Sequence, residues 1–243
     1  MIGENGSSDQ TRHLIVDAER AGMPVVLVDT SEMAAIGDRL RRMAVGRERL
    51  LQQAKSERAD IVVVADLDSV MRRPPDIVGL QRAIDLLASA PELIAVTASS
   101  RPHYYDVLAY RDHSTNFDGL NERIQQAQRS PLLYYRFMYE QVFSEQIRLT
   151  RLGPRRCYSA FNGLAVYRYA DYVRGSYLGG GSGICEHVVF HHSLDSGTEE
   201  RVAVIDELCI ATPPEHAPVG PVSFYMGRIW RTLRRTLAGQ VRL

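Results

Sequence analysis

The chain has 243 residues, 45% of them hydrophobic and 24% charged, enough for one large α/β domain with a sizeable core. Its 29 basic side chains equal its 29 acidic ones, so nothing global points to nucleic acid as a partner. Lys55 is the only lysine, which removes most mechanisms that need a catalytic amine. Cys157, Cys185 and Cys209 are an odd number without paired spacing, which fits a reduced, cytoplasmic setting. No apolar run approaches membrane-spanning length.

In chain order, helix and strand patterns alternate. Glu4-Asn5-Gly6-Ser7-Ser8-Asp9-Gln10-Thr11 is turn chemistry running into a helix start, with Asp9 or Ser8 as the N-cap. That helix is expected to reach about Ala21, with a short strand over Val25 to Val28. Residues 33–57 read as a long amphipathic helix with Ile36, Leu40, Met43, Leu50 and Ala54 on one stripe. Arg47 falls on the same stripe, where it either snorkels to water or reaches a phosphate or carboxylate at the sheet edge.

Pro74-Pro75 opens another helix to about Ser89, and Leu93 to Thr97 is the next strand. Residues 99–119 read as irregular. Their Tyr104, Tyr105, Asp106, Tyr110 and Arg111 suit sugar or nucleotide contact, or equally an ordinary packed loop. Residues 121–149 are helical with a break near Pro131, and Gly163 to Tyr167 is a strand. Leu178-Gly179-Gly180-Gly181-Ser182-Gly183 is a loop whose glycines permit close backbone approach to a ligand. A short helix from Cys185 puts Glu186 and His187 in its first turn, where the helix dipole favours a carboxylate. Val202 to Ile205 is the last strand. Phe224 to Leu243 is a helix with Arg228, Arg231, Arg234, Arg235 and Arg242 and no acid. That pattern suits an anionic membrane surface or a solvated tail. The expected division is a domain over 1–221 and a basic amphipathic tail over 222–243.

The chemistry centres on Ala59 to Val70. Ile61-Val62-Val63-Val64 reads as a strand buried on both faces, running out into Asp66 and Asp68. In extended chain those carboxylates point to one side and can meet one cation. Mg²⁺ and Mn²⁺ want oxygen ligands and bridge carboxylates to substrate phosphates. The alternating elements predict an α/β fold with a largely parallel sheet, whose strand ends are where such folds place ligands. Three readings compete: a carboxylate-metal-diphosphate site at Asp66 and Asp68, a haloacid dehalogenase-like phosphatase motif in Asp66-Leu67-Asp68-Ser69-Val70, and a zinc site at His187 and His191. The phosphatase motif lacks its usual downstream lysine, and neither metalloprotease order of His and Glu surrounds the two histidines.

Several motifs together resemble GT-A fold glycosyltransferases, the fungal capsular α-1,3-mannosyltransferase family and its bacterial relatives above all. They are Glu4 to Thr11, Asp66-Leu67-Asp68, Tyr105 to Arg111, Phe161-Asn162-Gly163-Leu164-Ala165-Val166-Tyr167 and Cys185-Glu186-His187, within roughly residues 2–215. The resemblance implies a Rossmann-like, mostly parallel sheet flanked by helices. It implies transfer of a hexose, mannose among them, from a nucleotide-sugar donor to a glycan or lipid-linked acceptor. By the same analogy Asp66 and Asp68 hold Mn²⁺ or Mg²⁺, Glu4 and Arg47 lie near the nucleotide, and Glu186 and His187 form the catalytic pair. His187 stands where inverting relatives carry the basic Asp, so a retaining course is the alternative. A non-catalytic sugar-nucleotide-binding protein is a further alternative. Such folds begin with a strand and helix ahead of the Glu4 segment. Only Met1, Ile2 and Gly3 precede Glu4 here, so the sheet is expected to lack its usual first strand and to show unpaired backbone beside the nucleotide site. The expected location is cytoplasmic, with peripheral contact at the inner membrane face through the C-terminal helix.

Overall fold

The structure is a computed structural model that describes residues 1–237 apart from 68, 72, 73, 182, 196 and 197. Its strands fall into two ladders. β1 (Ile2–Glu4) and β2 (Leu27–Asp29) pair in parallel, connected by α1 (Thr11–Arg20). The second ladder has five strands. These are β3 (Ile61–Ala65), β4 (Ala95–Arg101), β5 (Arg155–Cys157), β6 (Leu164–Arg168) and β7 (Val202–Ala211), in the order β3-β6-β4-β7-β5. β3, β4 and β7 share one direction, while β6 and β5 run against them. The α/β architecture expected from the sequence is present, with β5 reversed as well as β6. β4 is joined to β5 through a long helical excursion of α4 (Leu120–Ala127), α5 (Pro131–Met138), a π-helical turn over Tyr139–Phe143 and α6 (Ser144–Leu152).

Residue alternation along the strands feeds two cores. Ala165 and Tyr167 of β6 join a cluster with Leu51, Tyr110, Phe161 and Phe190. Leu164 and Val166 point to the other face, against Ala83 and Leu87 of α3 (Ile77–Ser89). α2 (Arg39–Ala54) starts later than its periodicity suggests, because Asp38 caps it by accepting from Arg41 N at 2.7 Å. β7 is longer than expected. Its ladder with β4 skips from Ala98↔Ile205 to Ser99↔Cys209, leaving residues 206–208 bulged. α3 closes on that bulge through Gly79, where a Cβ would fall 2.0 Å from the Glu207 carbonyl oxygen. β5 carries Arg-Arg-Cys, with no apolar alternation from which to read a strand.

The two ladders do not pair with each other among the described residues. β3 pairs with β6 on one side only among the described residues, and β1 and β2 form a ladder of their own. α2 touches both groups: Leu50 lies against Gly3 of β1, and Ala54 joins the core cluster that Val62 and Val64 flank. β3 therefore has the composition of a strand covered on both faces but the position of an edge, and Val63 is 44% exposed. A flat, β-branched edge is a template for intermolecular pairing. Val63→Lys is expected to slow concentration-dependent light scattering while changing unfolding free energy by no more than about 0.5 kcal/mol. Equal aggregation of variant and wild type at matched concentration would show that β3 is not the sticky edge.

Candidate functional site

Three side chains far apart in sequence converge at the end of β3. Arg47, on the inward face of α2, donates from Nη2 to Asp66 Oδ1 at 2.7 Å and from Nε to Glu186 Oε1 at 3.0 Å. Its guanidinium also lies 4.7 Å from the centre of the Phe161 ring. Of the two readings of Arg47, the structure shows the one in which it turns inward to carboxylates. Asp66 directly follows β3, its N–H bonded to the carbonyl of Gly163, the residue just before β6. Glu186 opens α8 (Glu186–Asp195), where unsatisfied N–H groups favour a carboxylate. Arg47 and Glu186 are buried, whereas the Asp66 side chain is 25% exposed, so the cluster opens to solvent at Asp66. Burial alone would weaken the charge on Arg47, but Asp66 and Glu186 more than offset it and hold the guanidinium protonated.

A third carboxyl belongs to this field. Asp106 is pushed up to about 7, first by desolvation and then by the negative charges of Glu186 and Asp66. It sits in the loop after β4, and Asn162 fixes that loop. The Asn162 side-chain oxygen accepts from Tyr105 N at 3.2 Å and Asp106 N at 3.3 Å, and its amide donates to the Ala98 carbonyl. Asn162 itself takes a left-handed φ of 51°. The loop's aromatic residues are core rather than ligand surface: Tyr104 and Tyr110 are fully buried, edge to face, with Arg155 over both rings. Two glycines of the glycine loop are likewise taken up by packing. A Cβ on Gly180 would strike Val189 at 2.3 Å, and one on Gly183 would meet Glu122 at 2.8 Å.

The remaining candidates fall in different places. His187 is 1% exposed, stacked on Phe161 at 3.6 Å between ring centres, and neither ring nitrogen has a hydrogen-bond partner. Burial, then Arg47 and His191, hold it neutral. His191 is bonded at Nδ1 to Ser159 Oγ and at Nε2 to Tyr167 Oη, which leaves no nitrogen for the zinc reading. Glu4 is buried but turned to its own neighbourhood. It accepts from Ser7 N at 2.5 Å and from Arg12 at 3.1 Å, closing the turn between β1 and α1. Asp68 lies outside the described residues. Among the described residues no group of three or more His, Cys, Asp or Glu could hold a metal ion, and the Asp66 carboxylate is already paired with Arg47. The metal site expected at Asp66 and Asp68 thus falls partly outside the described residues. A cleft of about 520 Å³ is lined by Ser114, Thr115, Asn116, Arg123, Glu140 and Arg148 among others, and by none of the cluster residues.

The architecture is thus an α/β sheet protein with a buried acid–arginine cluster at a strand end. No family model matches the chain, and no curated protein matches it. The mannosyltransferase family is accordingly not shown. Among solved structures it is similar to glucosyl-3-phosphoglycerate synthase from Mycobacterium tuberculosis in complex with Mn²⁺ and UDP-glucose. The identity is 14%, over 99% of this chain and 67% of that one, with a TM-score of 0.44. The same enzyme with phosphoglyceric acid gives 15% identity, coverage of 98% and 67%, and a TM-score of 0.43. A mycobacterial protein gives 16% identity over 90% of this chain and 57% of its own, with a TM-score of 0.39. Likenesses at this level of superposition carry no functional argument.

The charge field has a measurable consequence. Folding raises the Asp106 carboxyl from an ordinary value of 3.8 to about 7, so the folded state holds its proton more tightly. Its contribution to stability is full below about pH 4 and is lost as pH rises through about 7. Asp106→Asn keeps an oxygen for Ala109 N and removes the titration. It is expected to stabilise the protein by about 2 kcal/mol at about pH 8, screening considered, and far less at about pH 4. Urea melts at both values check this; an equal effect at both would place Asp106 outside the field of Glu186 and Asp66.

Proposed function

We propose that the protein is a glycosyltransferase that moves a hexose from a nucleotide-diphosphate sugar to a glycan or lipid-linked acceptor. The observation that carries this is the convergence of Arg47, Asp66 and Glu186 at the C-terminal end of β3, where α/β sheets place their ligands. In the reaction the bond from the anomeric carbon to the diphosphate oxygen breaks and its electron pair leaves on the diphosphate. The acceptor hydroxyl oxygen bonds to the anomeric carbon and passes its proton to the departing diphosphate. The barrier lies in charge growing on the diphosphate, and a fixed guanidinium in a partly desolvated site stabilises that charge. Arg47 is held in place for this by Glu186, which binds Nε, while Asp66 binds Nη2 at the open side of the cluster.

The cluster of Arg47, Asp66 and Glu186 has net negative charge before Asp106 is counted. That supports, within the same reading, dependence on Mn²⁺ or Mg²⁺ supplied at Asp66 and Asp68 and lowering the charge a diphosphate would meet. Glu4, with Arg12, is the reading's contact on the nucleotide side, and Glu186 its carboxylate on the acceptor side. His187 packs beside Glu186 instead of meeting substrate: it is buried, neutral and 3.9 Å away, with no hydrogen bond between them. A retaining course needs no base there. The reading places the enzyme in the cytoplasm. No helix among the described residues is long and apolar enough to cross a membrane.

Glu186→Gln keeps an acceptor for Arg47 Nε while removing the charge. It is expected to lower kcat for sugar transfer or donor hydrolysis by about 100-fold with little change in donor affinity. The assay is a panel of nucleotide sugars with and without Mn²⁺. Loss of donor affinity at unchanged kcat would move Glu186 to the donor pocket. Release of phosphate from a simple phosphomonoester, with no sugar released from any nucleotide sugar, would favour the phosphatase reading instead. A folded protein that binds nucleotide sugars and turns none over would be the non-catalytic alternative.

A further inference from the structure

A second concavity lies apart from the triad. The cleft of about 520 Å³ is walled by the loop between β4 and α4, by α4 itself, by the π-helical turn and by α6. That volume falls in the range of sites that take small molecules. A π-helical turn is a distortion found mostly at functional sites, and this one brings Glu140 and Gln141 to the cleft. Hydrogen bonds hold the walls in place. Arg148 donates from Nη2 to Thr115 Oγ1 at 2.9 Å and from Nε to Glu145 Oε2 at 2.7 Å, which ties α6 to the loop. Asn116 Oδ1 accepts from Asp118 N at 2.8 Å, so its amide nitrogen is left as a donor. Arg136 holds Glu140 at 2.7 Å. The half-buried Gln141 and the exposed Arg123 make no side-chain hydrogen bond or ion pair among the described residues.

The charge and polarity of the walls select the ligand. Arg123 and Arg148 balance Glu140 and Glu145, so the lining carries no net charge. An anion would meet two carboxylates and a cation two guanidinium groups, against ion pairs that are already made. An apolar ligand would strand the amides and side-chain oxygens without partners. The lining instead mixes both kinds of group. The amides of Asn116 and Gln141 and the guanidinium of Arg123 donate, while the Gln141 carbonyl and Glu145 Oε1 accept. A ligand whose polar groups each donate and accept fits such a lining, and hydroxyls do both. Phe117, half-buried and packed on the core, adds an aromatic surface for the C–H face of a sugar ring. We propose that the cleft binds a neutral polyhydroxylated ligand, a hexose oligosaccharide, through Asn116, Arg123, Gln141 and Glu145. This stands apart from the glycosyltransferase reading, because no residue of the triad lines the cleft.

Titration of maltotriose, cellotriose and mannotriose into the isotope-labelled full chain, with no nucleotide present, tests this by NMR. At least one trisaccharide is expected to bind with a dissociation constant of about 1 mM, as suits an open polar cleft. The amide signals of Thr115, Asn116 and Gln141 should move, and those of Asp66 and Glu186 should not. Arg123→Ala with Gln141→Ala is expected to weaken that affinity roughly 25-fold, about fivefold for each lost hydrogen bond. Far-UV circular dichroism should stay unchanged, because neither side chain is bonded within the described chain. The single variant Arg123→Ala, at an exposed position, should still weaken binding about fivefold. No binding of any of the three up to about 20 mM, shifts confined to the triad, or unchanged affinity in both variants would overturn the inference. So would inorganic phosphate binding more tightly than every trisaccharide, which would make the cleft an anion site.

Discussion

One guanidinium shared by two carboxylates ties the molecule together. Arg47 comes from α2, Asp66 from the end of β3 and Glu186 from the first turn of α8, so a single buried ion triad joins segments that the chain separates by up to 139 residues. The triad is costly to desolvate and strongly destabilising to break, since loss of one partner leaves a charge buried without compensation, at about 3–5 kcal/mol. Its geometry therefore depends on everything that seats those three elements. Phe161 sits under Arg47, Asn162 fixes the loop carrying Asp106, and Gly163 lets Tyr105 and Val70 approach the turn into β6.

The same electrostatics describe what the site can accept. Arg47 donates to both Asp66 and Glu186, and burial, followed by those two negative charges, pushes the Asp106 carboxyl up to about 7. A field with more negative than positive charge welcomes a cation or a polyhydroxylated ligand and repels a bare diphosphate. Under the proposed function an incoming diphosphate has to bring or meet compensating positive charge. Asp66, the most exposed member, is where that exchange would begin.

Much of this was legible in the sequence, for identifiable reasons. The β-branched run into Asp66, the stripe that includes Arg47 and the helix start at Glu186 are local patterns, and the elements form where those patterns lie. That the three side chains meet is a tertiary fact with no local signal in the sequence. Asp106 had no local signal as a titrating group, because its behaviour arises from charges contributed by other elements. The tyrosines of residues 104–110 looked fit for a ligand and turned out to be core, since aromatic composition does not distinguish the two. Ile61 to Val64 looked central and stands at an edge, because composition records how well a strand could be covered and not whether a neighbour lies beside it. Glu4 kept its buried carboxylate but spends it on Ser7 and Arg12.

The most direct test of the central claim is calorimetric titration of nucleoside diphosphates and their sugars, with Mn²⁺, into the wild-type chain and into Asp66→Asn. If the triad is the donor site, at least one nucleotide sugar binds the wild type. Its affinity then falls about tenfold or more in the variant, because the carboxylate at the mouth of the cluster is gone. A folded wild-type chain that binds no nucleotide, or one whose affinity is the same in Asp66→Asn, would contradict the account.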